Sequence, residues 1–185
     1  MIDDVLQETK ERMAKSEKAF ERELSKVRTG RASQSILDNV LVDYYGSQTP
    51  LPQMATVSVP ESRLITVKPW DGSVINQVEK AILAANLGLT PSNDGKLIRI
   101  SIPPLTEERR KEIVKSVAKT CEDYKVAVRN IRRDSNEMLK ELQKDGDISE
   151  DDSFKGQKLV QDATDEAIKK LDVIFDAKEK EILEV

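Results

Sequence analysis

The 185-residue chain contains no histidine and a single cysteine, Cys121. Without histidine, the Ser-His-Asp and Cys-His arrangements of nucleophilic catalysis are excluded. Without histidine or a second cysteine, so are the usual zinc sites and any internal disulfide. Aromatic side chains make up 4% of the residues, and no apolar run approaches the roughly 20 residues that a membrane span needs. The glycines form neither GxxxxGK nor GxGxxG, so no phosphate-cradling loop is present. The opening Met1-Ile2-Asp3-Asp4-Val5 is acidic and lacks the apolar core of a signal peptide, so a cytoplasmic protein without membrane contact is expected. Carboxylate or lysine chemistry stays formally open. The paired carboxylates Asp151-Asp152 fall on an acidic loop with no apolar pocket residues beside them, and no enzyme, catalytic residue, metal ligand or cofactor is expected.

What the chain has in quantity is charge, 35% of all residues, in a pattern that suits long helices with wet outer faces. Over residues 1–29, apolar or small side chains recur in steps of three and four: Ile2, Val5 or Leu6, Thr9, Met13, Ser16, Phe20, Leu24 and Val27. That is one helix face, with a stop at Thr29-Gly30. Thr106-Glu107-Glu108 opens a second long helix whose stripe is Ile113, Val117, Cys121, Tyr124, Val128, Ile131, Met138 and Leu142, broken at Asp145-Gly146-Asp147. A third begins near Ser149 or Ser153 and carries Leu159 or Val160, Ala163, Ala167, Leu171, Ile174, Phe175, Ile182 and Leu183. Cys121 lies on a stripe and reads as a buried structural thiol.

Between the helical stretches the code changes. Val40–Tyr45, Thr56–Val59 and Leu64–Val67 are β-branched and aromatic, separated by Gly46, Pro50, Pro52 and Pro60. Lys96 to Ile102 alternates after the hairpin signal Asn93-Asp94-Gly95. Ser73 can cap a short helix carrying Val74, Val78, Ile82 and Leu83. A lone amino-terminal helix cannot bury its stripe, so it must pair with the downstream helices. The expected fold is therefore α+β: a long antiparallel three-helix bundle from residues 1–30 and 105–185, interrupted by a small β/α/β domain at 31–104. The connectors at 28–31 and 103–105, with Thr29, Gly30, Pro103 and Pro104, read as a hinge.

Charge is unevenly divided. Residues 106–144 hold 11 basic and 8 acidic side chains, and residues 145–185 hold 6 and 13. Projection at about 100° per residue puts Lys111, Lys125, Arg129, Arg132 and Arg133 on one outer flank of the second long helix. Guanidinium forks spaced like Arg129, Arg132 and Arg133 can hold successive phosphates of a folded RNA. On the cluster alone the favoured reading is a solvated face paired with the acidic third helix. Arg28-Thr29-Gly30-Arg31 reads as a phosphate-contacting neck or as a plain helix end and joint, the joint being favoured. Trp70 reads as packing at a turn more readily than as a base-stacking platform.

Several stretches carry a resemblance. They are Val27-Arg28-Thr29-Gly30-Arg31-Ala32, Tyr44-Tyr45-Gly46 with Thr49-Pro50-Leu51, Pro69-Trp70-Asp71, and Leu87-Gly88-Leu89 with Pro91 and Asp94-Gly95. Ile98-Arg99-Ile100, the run Pro103 to Lys111, and Arg129-Asn130-Ile131-Arg132-Arg133-Asp134 complete them. Over its whole length the chain resembles the ribosome recycling factor family. The resemblance implies an L-shaped, tRNA-like arrangement and binding between ribosomal subunits after termination. It implies dissociation of the ribosome together with elongation factor G, which hydrolyses GTP, and a chain without nucleotide site or catalytic residues that acts as a monomer. It also implies that Arg129, Arg132 and Arg133 face large-subunit ribosomal RNA, with Arg28, Arg31 and Arg110 as secondary contacts. The alternative is a helical adaptor that binds protein partners through its bundle, with weak salt dependence.

Overall fold

The computed structural model describes residues Met1–Glu184. They fall into two compact units: Met1–Val27 together with the chain from Glu107 onward, and Arg28–Thr106.

The first unit contains three helices, α1 (Ile2–Ser25), α3 (Glu107–Lys144) and α4 (Glu150–Leu183). At 1.5 Å per residue the 38 residues of α3 span about 57 Å. Thr9 meets Ser135 and Glu23 meets Tyr124, so α1 runs antiparallel to α3. Arg132 meets Gln161 and Lys125 meets Asp172, so α3 runs antiparallel to α4. The shared core includes Met13, Phe20, Leu24, Val117, Cys121, Val128, Ile131 and Leu171. Phe20 is fully buried, its ring 5.2 Å from that of Tyr124. At Gly156 a Cβ would stand 3.1 Å from both methyl carbons of Leu139, so the two helices meet there at backbone distance. Asp145 and Gly146 end α3 as expected, and the Ser149 hydroxyl caps α4 by accepting from Asp152 N–H.

Three expectations for these helices are corrected. The α3 stripe does not pass through Met138 after Ile131. It passes through Ser135 and Leu139, both buried. Ser135 is tolerated there because its hydroxyl is satisfied twice, by Thr9 Oγ1 at 2.6 Å and by the Ile131 carbonyl. On α4, Val160 is buried while Leu159 and Leu183 are exposed. And α1 stops at Ser25 instead of reaching Thr29. Its last turn tightens, with Lys26 N–H and Val27 N–H donating to carbonyls three residues back.

The second unit holds two sheets where the sequence suggested one. The strands β1 (Leu41–Tyr44) and β2 (Ser47–Pro50) form a hairpin. The strands β3 (Ala55–Glu61), β4 (Leu64–Pro69), β5 (Pro91–Asn93) and β6 (Ile98–Ser101) form an antiparallel sheet in the order β3-β4-β6-β5. Helix α2 (Ile75–Ala84) packs Ile75, Val78 and Ile82 into a core with Val42, Leu51, Ile65, Val67, Ile98 and Ile100. Leu83, expected inside, is exposed. The cap before α2 is Asp71, not Ser73. Its carboxylate accepts from both the N–H and the hydroxyl of Ser73, and a 3-10 turn at Gly72–Val74 leads into the helix.

The turn between β5 and β6 is held by one carboxylate. Asp94 accepts from the backbone N–H groups of Leu97 and Lys96 and pairs with Arg99 at 2.7 Å. In that order these contacts pull its carboxyl down to about 2. A group depressed on folding contributes stability that is present above its unfolded pKa, near 3.9, and is lost as pH falls toward 2. Asp94→Asn is therefore expected to flatten the acid limb of stability between about pH 4 and pH 2. A melting series across that window, with and without the substitution, checks it; parallel curves would contradict it.

Candidate nucleic-acid interface

A regular helix with a narrow apolar stripe leaves the remaining directions of α3 to water, and the arginines stand there. Their surroundings differ. Arg129 is 40% exposed in its side chain and pairs with Glu122 two turns back along α3, Nη1 to Oε1 2.8 Å. The guanidinium, through its hydrogen bond and its charge, holds the Glu122 carboxyl below its usual range. Arg132 is half-buried at the seam with α4 and donates through Nη1 to the Gln161 side-chain oxygen at 3.2 Å. Arg133 is exposed and has no ion pair or hydrogen bond among the described residues.

Among the described residues, Arg129, Arg132 and Arg133 make no ion pair with the acidic residues of α4, contrary to the plain electrostatic reading of the charge split. Lys125 makes that contact instead, to Asp172, whose hydrogen bond raises the lysine's pKa. On the opposite flank Asp134 pairs with Arg12 of α1 at 2.7 Å. Each engaged arginine is held through Nη1, which leaves further donors of the fork for a phosphate. The Glu122 pair is an exposed surface pair of the kind that contributes little to stability. Asn136, one turn beyond Arg132, has a buried side-chain oxygen without a partner among the described residues.

The secondary candidates are scattered. Arg110 is half-buried in the first turn of α3, with no ion pair or hydrogen bond among the described residues. Arg31 is exposed in the first connector. Arg28 is engaged, its Nη1 donating to the Leu87 carbonyl at 2.7 Å. That bond fastens the connector to the loop after α2, and no motif spacing announces a partner 59 residues away.

Within the second unit the two connectors run side by side. Ala32 N–H donates to the Ser62 carbonyl and Ile102 N–H to the neighbouring Arg63 carbonyl. Gly30 has φ +77°, and a Cβ there would come within 3.0 Å of Leu105 Cγ. Both the left-handed backbone and the close approach require glycine. Thr29 is partly buried beside it, and Pro103 and Pro104 are exposed. Trp70, expected to pack at a turn, is 67% exposed, with its indole N–H donating to Thr56 Oγ1.

A family model described as ribosome recycling factor matches residues 20–183. The chain belongs to the ribosome recycling factor family. Its relatives include the ribosome-recycling factor of Desulforapulum autotrophicum, 66% identical over all of both chains. That of Desulfosudis oleivorans is 60% identical and that of a Geobacillus species 56%, again over the full length of both chains. Among solved structures, a solution structure of the ribosome recycling factor matches with TM-score 0.79 and 39% identity, covering 100% of this chain and 98% of that one. The T. thermophilus ribosome recycling factor, in models of it and E. coli elongation factor G bound to the E. coli post-termination complex, matches with TM-score 0.65 and 43% identity over all of both chains. As a ribosome recycling factor family member, the chain has the mixed α+β architecture of that family. Among the described residues, no helix is long and apolar enough to cross a membrane.

Proposed function

We propose that this chain acts in the cytoplasm as a monomer. There it binds the post-termination ribosome and, with elongation factor G, promotes its dissociation into subunits for a new round of translation. The observation that carries this reading is full-length membership of the family, joined to an α3 face on which Arg133 is exposed with no partner among the described residues and Arg129 and Arg132 are each held by a single contact. The similarity to a recycling factor placed with elongation factor G on a post-termination complex supports the choice of partners.

The mechanism rests on division of labour between two units. The guanidinium groups of Arg129, Arg132 and Arg133 form charge-assisted bonds to phosphates of large-subunit ribosomal RNA, and the stiff rod of α3 holds them at fixed spacing. Arg110 and Arg31 add secondary contacts, while Arg28 is spent on Leu87 in the free protein. Elongation factor G, using its own GTP, presses on the Arg28–Thr106 unit. That unit turns about the paired connectors at Thr29-Gly30 and Pro103-Pro104, and the bundle transmits the movement to contacts between the subunits.

Locking the neck tests this. A disulfide engineered to lock the neck is expected to abolish recycling, leave ribosome binding intact, and be reversed by reductant. The native thiol does not interfere, since Cys121 is buried and its burial raises the thiol pKa. Recycling at full rate with the lock closed would show that the swing is dispensable.

A further inference from the structure

The apolar stripe of α4 runs through Gly156, Val160, Ala163, Ala167 and Leu171, and Phe154 stands off it with 73% of its surface exposed. Residues at i, i+4 and i+7 share a helix face, so Phe154, Lys158 and Gln161 form one row. Gln161 is the residue whose side-chain oxygen accepts from Arg132. The phenylalanine ring therefore lies on the same side of the bundle as Arg132, two turns or about 10.5 Å farther along α4 toward the turn that joins α3 to α4. Lys158 is exposed between them. Glu150 and Asp151 precede the ring by four and three residues, so a phosphate is disfavoured at that point. A nucleobase is not, because its contact with an aromatic face needs no charge.

We propose that Phe154 stacks on an unpaired base of the same RNA whose phosphates the α3 arginines hold, extending the interface from α3 onto α4. This inference rests on the RNA-binding part of the function proposed above. Basic side chains that follow a nucleic-acid backbone, with an aromatic side chain for a base beside them, are the usual composition of surfaces for single-stranded segments. The contact is tolerant of base identity, since every base offers a π face.

The test is ribosome binding by the full chain, measured by sedimentation with 70S ribosomes across a salt series. Phe154→Ala is expected to weaken binding about 5- to 100-fold, the range of base–aromatic stacking, with the dependence on salt unchanged because no charge is lost. Phe154→Trp is expected to retain affinity, and Phe154→Leu, which keeps apolar volume without a ring, is expected to lose it. Affinity within twofold of wild type for Phe154→Ala, or full affinity for Phe154→Leu, would overturn the proposal. Arg133→Ala, measured beside them, separates the two readings. If it weakens binding and lowers the salt slope while Phe154→Ala is neutral, stacking is wrong and phosphate binding stands. If both are neutral, the RNA interface itself is wrong.

Discussion

Phe20→Ala is expected to destabilise the helix unit by about 3–5 kcal/mol, the usual cost of emptying a phenylalanine site that cannot collapse. Phe20 is fully buried where α1 meets α3, in ring contact with Tyr124, whose hydroxyl donates to Glu23 on the next turn of α1. For a chain of this size, 1 kcal/mol moves the melting temperature by about 2–4 °C, so a loss of about 6–20 °C is expected. A second readout comes from Cys121, buried in the same core and unreactive while the core is closed. Thiol labelling under native conditions is expected to accelerate in the variant. A change below about 1 kcal/mol with unchanged labelling would mean that α1 is not bound along α3, and the discontinuous bundle would be wrong.

The second large effect concerns affinity. Arg129, Arg132 and Arg133 changed together to alanine are expected to weaken ribosome binding about a thousandfold or more. Each charge-assisted contact contributes about 1.5–3 kcal/mol, and 1.4 kcal/mol is a factor of ten. Stability is expected to move little. The variant loses a half-exposed pair with Glu122 and one bond to a neutral amide, and none of the three side chains belongs to the buried core. Isothermal binding and thermal melting of the same preparation check both halves. A large loss of melting temperature with unchanged binding would make the cluster a structural one.

Much of this architecture is legible in the sequence, and the failures have physical reasons. The extent of α3 could be read because a narrow stripe in steps of three and four is bounded by acidic residues at one end and Asp145-Gly146 at the other. Ser135 is not legible on the stripe, because apolarity alone skips a hydroxyl that the fold satisfies through Thr9, more than a hundred residues away. The cap before α2 went to Asp71 because two adjacent candidates compete, and the carboxylate takes both donors of Ser73. The end of α1 at Ser25 is not legible locally, because no helix-breaking residue stands before Thr29-Gly30 and the chain leaves the helix through a tightened turn at Lys26 and Val27. The arginine cluster was plain as a cluster, but its partners were not. Glu122 lies two turns back on the same helix and Gln161 on another, and charge counting pointed instead to the carboxylates of α4. Phe154 carried a signal that could have been used, an aromatic side chain standing off the stripe of an otherwise amphipathic helix.

On the function proposed here, guanidinium groups fixed on one rod hold ribosomal RNA by its phosphates. The most direct test is the slope of ribosome affinity against salt, for the wild-type chain and for the variant lacking Arg129, Arg132 and Arg133. Counterion release makes log affinity fall linearly with log salt, by a little under one unit for each phosphate neutralised. A steep fall is expected for the wild type, and a slope shallower by about two to three in the variant. A wild-type affinity indifferent to salt, or equal slopes for the two proteins, would contradict it and favour a surface made for protein partners.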